Sequence, residues 1–230
     1  MSTISEGLQA VTARIAAAAA AAGRAPEAIQ LVAVSKTFSP ESIRAAFNAG
    51  QRAFGESYVQ EALVKINGLR ELPLEWHFIG PIQSNKTKAI AENFHWVHGV
   101  DRLRIAQRLS EARPAGLEPL QVCLQVNVSG EASKSGTAPE ELPELAAQVS
   151  VLPRLRLRGL MAIPRPTDDP NAQRAAFRML ANLLHRLCAQ GIPLDTLSMG
   201  MSEDLEAAIL EGATIVRVGR AIFGERARSG

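Results

Sequence analysis

Short runs of apolar and β-branched residues alternate along the whole chain with segments whose apolar residues recur about every 3.6 positions, and no other feature constrains the fold as tightly. The first run is Leu31 to Ser35. The others are Arg52 to Phe54, Trp76 to Ile79, Phe94 to Val97, Leu120 to Val128, Leu155 to Ala162, Leu194 to Leu197 and Thr214 to Val218. Between them lie helical patterns with readable starts. Ser39-Pro40-Glu41 offers an N-cap, a proline at the first helical position and an acid in the first turn, ahead of a face made by Ile43, Ala46 and Phe47. Val59, Ala62, Leu63 and Ile66 mark the next helix, and Asp101 is expected to cap one carrying Ile105, Ala106 and Leu109. Thr137 to Glu140 reads as a capping box before Leu142, Leu145, Ala146 and Val149. Asp169-Pro170 opens a long helix with Phe177, Leu180, Leu184 and Leu187 on one stripe, and Ser202 is expected to cap the helix that follows the seventh strand.

Eight strands alternating with helices imply parallel neighbours joined by right-handed crossovers, and closure into a barrel removes the exposed edges. The expected fold is α/β, a single (β/α)8 TIM barrel, and 230 residues suit a fold that typically takes about 250. An open doubly wound sheet is the alternative, but no G-x-G-x-x-G follows the first strand. No shift of composition suggests a linker, so residues 1–230 are read as one domain. Within it, residues 1–24 form an extra helix packing on the barrel, since Leu8, Val11, Ile15 and Ala19 repeat at helical spacing. The tract Ala16 to Ala22 lacks the basic leader of a signal peptide.

Composition removes several classes of function. A formal net charge of +2, with the basic residues dispersed, gives no nucleic-acid footprint. Arg154, Arg156 and Arg158 alternate with Leu155 and Leu157 and read as one solvated strand face. Cys123 and Cys188 sit in apolar segments without ligand spacing, as core residues of a reducing compartment do. No apolar run approaches the ~18 residues of a membrane span. The expected location is the cytoplasm, and the expected state is a monomer with no membrane or nucleic-acid partner. His95 and His98 are three apart, but on a strand they face opposite ways and have no Cys or carboxylate companions, so no metal site is expected.

In a barrel of this kind the functional groups gather where the strands end. Those ends supply Lys36, Gly55-Glu56, Ile79-Gly80, His98, Asn127, Met161, Ser198 to Ser202 and Arg217 to Arg220. A lysine directly after a buried strand is partly desolvated, which favours the neutral amine that a Schiff base needs; the competing reading is a lysine snorkelling to solvent. Ser198-Met199-Gly200-Met201-Ser202 and Arg217-Val218-Gly219-Arg220 follow the seventh and eighth strands, where such barrels commonly bind phosphate. A glycine lets backbone approach the anion, and N–H groups at a helix start point at it. Together these suggest a ligand with a carbonyl at one end and a phosphate at the other.

The runs Val32-Ala33-Val34-Ser35-Lys36, Phe54-Gly55-Glu56-Ser57-Tyr58-Val59-Gln60-Glu61 and Trp76-His77-Phe78-Ile79-Gly80-Pro81-Ile82-Gln83-Ser84-Asn85-Lys86 resemble the YggS/PROSC family of pyridoxal 5′-phosphate (PLP) homeostasis proteins. So do Ser133-Lys134-Ser135-Gly136, Arg158-Gly159-Leu160-Met161-Ala162-Ile163-Pro164, Ser198 to Ser202 and Arg217 to Gly224, in family order. The resemblance implies a barrel similar to the N-terminal domain of alanine racemase, with PLP as a Schiff base on Lys36. It further implies that Arg217 faces the pyridine nitrogen, while Gly219, Arg220 and the loop holding Ser198, Met199 and Ser202 bind the phosphate. His77, Asn127, Met161 and Lys134 are second-rank candidates for cofactor contact, Lys134 as a second PLP contact at the mouth. The family usually has Asn at the position of Ser57.

A PLP-dependent racemase or decarboxylase of the same fold is the rival. Alanine racemase takes a second base from a tyrosine of an added domain, whereas here the chain ends soon after the barrel and Tyr58 is the one tyrosine. An arginine at the pyridine nitrogen also makes the ring a weaker electron sink. No catalytic residue for amino-acid turnover is therefore expected. The expected role is intracellular vitamin B6 homeostasis, with PLP-dependent apo-enzymes as candidate recipients.

Overall fold

A computed structural model of the chain describes residues 3–130 and 135–225. Its strands are β1 (Gln30–Val34), β2 (Ala53–Glu56), β3 (Glu75–Phe78), β4 (Trp96–Val100), β5 (Leu120–Gln125), β6 (Leu155–Met161), β7 (Thr196–Ser198) and β8 (Ile215–Val218). They pair in chain order into a closed barrel, and β1 closes it in parallel with β8, Gln30 opposite Ile215 and Ala33 opposite Val218. The crossover helices are α2 (Pro40–Asn48), α3 (Val59–Gly68), α4 (Thr87–Asn93), α5 (Leu103–Ala112), α6 (Leu142–Ser150), α7 (Pro170–Ala189) and α8 (Leu205–Leu210). Helix α1 (Ile4–Ala21) precedes the barrel and α9 (Arg220–Phe223) follows it. The expected (β/α)8 barrel is the observed fold. No helix among the described residues is long and apolar enough to cross a membrane.

Strand alternation divides the apolar residues into two layers. Ala33, Phe54, Phe78, Val97, Leu124, Leu160 and Val216 belong to the core between strands and helices. Val32, Ala53, Trp96, Cys123, Met161 and Ile215 form a separate cluster on the barrel axis. Arg158 shares that axis, contrary to the reading of a solvated face. Its guanidinium lies over the Trp96 ring at 5.0 Å, donates to Gln121 Oε1 at 2.9 Å and pairs with Asp195 at 2.8 Å. A register shift between β5 and β6, at Val122 and Cys123, breaks the in–out alternation that the sequence suggested.

Several boundaries and caps differ from expectation for local reasons. Strand β4 runs two to three residues later than expected, through Gly99, where a Cβ would come within 2.8 Å of Gly80 O. This glycine marks a close approach of two backbones, not a strand end. Strand β5 stops at Gln125 because Asn127 N–H turns to Thr137 O at 3.0 Å. Thr137 is thereby held by β5 and does not cap α6, whose N-cap is Glu141 without a side-chain bond. Asp101 pairs with Arg102 at 2.7 Å, and Arg102 is the N-cap of α5. Ser202 sits in a turn ahead of α8, and Asp204 holds the N-cap position. Asp169 does cap α7, accepting from Asn171 N–H at 2.9 Å.

Helix α1 begins at a capping box, with Thr3 Oγ1 accepting from Glu6 N–H and Glu6 from Thr3 N–H. It packs on α2, α8 and α9. Gly7 permits the last contact, since a Cβ there would lie 2.8 Å from the carbonyl oxygens of Ala221 and Ile222. Arg14 ties the helix to the loop after β7, pairing with Glu206 at 2.7 Å and donating to Ser202 O at 2.9 Å.

Candidate functional site

A cavity of about 340 Å³ opens where the strands end, and Lys36, Ser202, Arg217, Gly219 and Arg220 all line it. Val34, Ile79 and Ile163 add apolar wall, and the volume falls in the range of small-molecule sites. The sequence placed these polar groups nearly 200 residues apart, and barrel closure between β1 and β8 brings them together.

Lys36 stands on a turn set by the end of β1. Ser35 N–H donates to Gly55 O at 3.0 Å, and Phe38 N–H to Ser35 O at 3.0 Å. Thr37 takes a φ of 70°, costly for a β-branched residue, and its N–H is held by Glu61 Oε1 at 2.6 Å. Lys65, almost completely buried, supports the turn from below. It donates to Ser35 O and to Glu56 Oε1, each at 2.8 Å, and also to Glu61. Ser35 Oγ donates to the same Glu56 oxygen at 2.6 Å, while Glu56 Oε2 is buried without a partner among the described residues. Burial pushes the Glu56 carboxyl above its ordinary value, opposed by the Lys65 ammonium. Glu56, though at a strand end, faces the barrel–α3 interface and does not line the cavity.

Arg217 lies opposite, only 4% exposed. It donates to Ser198 Oγ at 2.6 Å and to Ala162 O at 3.0 Å. Burial draws its pKa down to about 10, which leaves it a cation at neutral pH. Gly219 lies against β1, where a Cβ would come 3.2 Å from Val34 O. Among the described residues no acceptor takes the Gly219 or Arg220 N–H, so both are available to an anion. The Arg220 side chain pairs with Glu203 at the rim. The Asp204 carboxylate accepts from Met201 N–H at 2.6 Å, and burial raises its pKa.

The remaining candidates fall elsewhere. Ser198 and Met199 are fully buried, Ser198 beneath Arg217 and Met199 in the outer core with its N–H on Ile215 O. Met161 packs on the barrel axis, and His77 is buried within it. Asn127 closes its own loop, accepting from Ser129 N–H at 3.3 Å. Lys134 lies outside the described residues. His95 accepts from Trp76 N–H at 3.0 Å while His98 points to Ser198, so the two do not converge. Ile79, named among the strand ends, and Ser57, the departure from the family pattern, both line the cavity, and so do Asp204 and Ile163, which were not singled out. The signal for Ile163 was its place two residues past the end of β6.

A barrel with a lysine after β1 and a glycine-capped helix start after β8, both lining one cavity, defines a class. The model of the alanine racemase N-terminal domain matches residues 7–227. The chain belongs to that family, and within it to the pyridoxal phosphate homeostasis proteins. The protein of that name from Pseudomonas aeruginosa is 66% identical over 226 residues, covering 98% of this chain and 97% of its own. The one from Escherichia coli K12 is 54% identical over 229 residues, covering 98% of both. PipY of Synechococcus elongatus, solved with PLP bound, superposes with a TM-score of 0.81 at 38% identity, covering 91% of this chain and all of PipY. Alanine racemase from Corynebacterium glutamicum shares the fold, with a TM-score of 0.68 at 19% identity over 95% of this chain and 61% of its own.

Proposed function

We propose that this protein binds PLP in the mouth cavity as a Schiff base on Lys36, and that it serves cytoplasmic vitamin B6 homeostasis as a single-domain monomer. The carrying observation is that Lys36 and the Arg217–Arg220 segment line one cavity of cofactor size. The donor set suits the ligand: an amine for the aldehyde, a buried guanidinium for the ring nitrogen, and two unclaimed N–H groups on Gly219 and Arg220 for the phosphate. Ser202 borders the same region. When bound, PLP supplies an aldehyde that exchanges between amines. This chain's residues orient it, shield it between Val34, Ile79 and Ile163, and leave the mouth open for transfer to apo-enzymes.

Amino-acid turnover needs a second positioned acid or base, typically worth ~10²–10⁴ in rate. Tyr58, the one tyrosine, is 55% exposed and does not line the cavity. The second reading, a racemase-type enzyme, draws on fold neighbours such as alanine racemase. Two measurements test the proposal. PLP is expected to bind far more tightly than pyridoxal, and Gly219→Val is expected to weaken PLP by crowding Val34 O; equal affinities would refute the phosphate site. Incubation of the loaded protein with L-amino acids in deuterated water is expected to leave the α-proton in place, and exchange at enzyme-like rates would establish the enzyme reading instead.

A further inference from the structure

A continuous line of polar side chains runs along the barrel axis beneath the cavity. Glu75 Oε1 lies 2.5 Å from His77 Nε2, His77 Nδ1 lies 2.9 Å from His98 Nε2, and His98 Nδ1 lies 2.7 Å from Ser198 Oγ. Arg217 then donates to Ser198 Oγ at 2.6 Å. The strands β3, β4, β7 and β8 each contribute, and the line ends on Arg217, buried at the cavity.

The chemistry of the two ends fixes every proton between them. An arginine only donates and an ionised carboxylate only accepts. Glu75 is a carboxylate, its pKa lowered by the bond from His77. His77 must then carry its proton on Nε2, which leaves Nδ1 to accept from His98 Nε2–H. His98 Nδ1 in turn accepts from the Ser198 hydroxyl, whose oxygen lone pair is turned to Arg217. Moving the His77 proton to Nδ1 sets two acceptors face to face at Glu75 and two donors at His98, and moving the His98 proton to Nδ1 sets two acceptors face to face between the rings. Both rings are fully buried, and burial keeps both neutral. His77 faces Glu75 and His98, is stacked on Trp96 at 5.6 Å, and feels His95; His98 faces His77, Ser198 and Arg217.

We propose that Glu75, His77, His98 and Ser198 form a one-way hydrogen-bonded chain whose role is to hold the Arg217 guanidinium in position at the cavity. The proposal rests on the reading of that cavity as the PLP site. A buried polar line is costly unless fully satisfied, and this one runs beside the apolar cluster of Val32, Ala53, Trp96, Cys123, Met161 and Ile215. Such a line is retained where it orients a group, and here that group is Arg217. Glu75, with its side chain 38% exposed, anchors the far end and also accepts from Gln30 at 2.8 Å. The four are positioning residues and do not touch the ligand.

The test begins with the ligand-free protein labelled with ¹⁵N-histidine. Long-range ¹H–¹⁵N spectra are expected to show His77 and His98 as neutral Nε2–H tautomers, with a slowly exchanging Arg217 guanidinium. An Nδ1–H tautomer at either ring would overturn the chain whatever the ligand. Glu75→Leu removes the terminal acceptor, whereas Glu75→Gln retains one. The Leu variant is expected to free the Arg217 protons and to weaken PLP about tenfold, the scale of one hydrogen bond to a charged group. The Gln variant is expected to restore both to within about threefold. Arg217 protons equally protected in the Leu variant would refute the positioning role. Protected Arg217 and correct tautomers with no PLP binding by the unaltered protein would leave the chain standing and sink the cofactor reading.

Discussion

Position after a buried strand left Lys36 with snorkelling to solvent as a competing reading, and the family resemblance of the runs around it carried the assignment. The group beneath it was not legible. Glu56 and Lys65 lie on β2 and α3, and only the four-residue spacing of Glu61 and Lys65 hinted at a pair. Their burial makes the pair asymmetric: removing one partner strands the other's charge. Lys65→Met is therefore expected to cost about 3–5 kcal/mol in urea unfolding. The double variant Glu56→Leu/Lys65→Met should recover most of that loss, because neither charge remains to be desolvated. It should not recover PLP affinity, since Lys65 also holds Ser35 O and so the Lys36 turn. Full recovery of affinity would remove the network from the account of the site.

At the scale of elements, apolar periodicity located the strands and helices, while the signals at their ends were weaker. Ser39 and Asp169 cap as read, accepting from Ser42 and Asn171 N–H. Asp101, Thr137 and Ser202 do not cap, because each is held by other partners or lies short of the helix start. Cap chemistry competes with tertiary contacts that a local window cannot contain. The same holds for glycine. Gly7 looks like a weak helix position, yet it is where α1 meets α9. Gly7→Val is expected to push the helices apart and to cost about 1–3 kcal/mol by thermal or urea unfolding. Because Gly219 is the N-cap of α9, PLP affinity should fall as well. An unchanged affinity alongside a lowered stability would mean that α1 supports the barrel but not the site.

For the whole molecule, alternation pointed to parallel strands with a closed barrel or an open doubly wound sheet as outcomes, the missing G-x-G-x-x-G favoured the barrel, and what fills its axis was not legible. His98 and Ser198 are one hundred residues apart, and only the closed sheet aligns them. That axis also governs acid stability. Burial lowers the pKa of His77 and His98 below the ordinary 6.5, so the unfolded chain binds their protons more tightly. Their contribution is complete above pH 6.5 and is lost as pH falls from there, by up to about 3 kcal/mol per pH unit for the two rings. The raised Glu56 carboxyl acts with the opposite sign and involves one proton. Urea midpoints are expected to drop steeply between about pH 6.5 and 5.5, with a shallower fall in His98→Gln. A flat profile would show that the rings are not held neutral.

The site reading depends most directly on where PLP attaches. The protein should be loaded with PLP, reduced with borohydride, digested and analysed by mass spectrometry. A single pyridoxyl adduct on Lys36, absent in Lys36→Ala, is the expected result. Adducts spread over other lysines, or an undiminished adduct in Lys36→Ala, would contradict it.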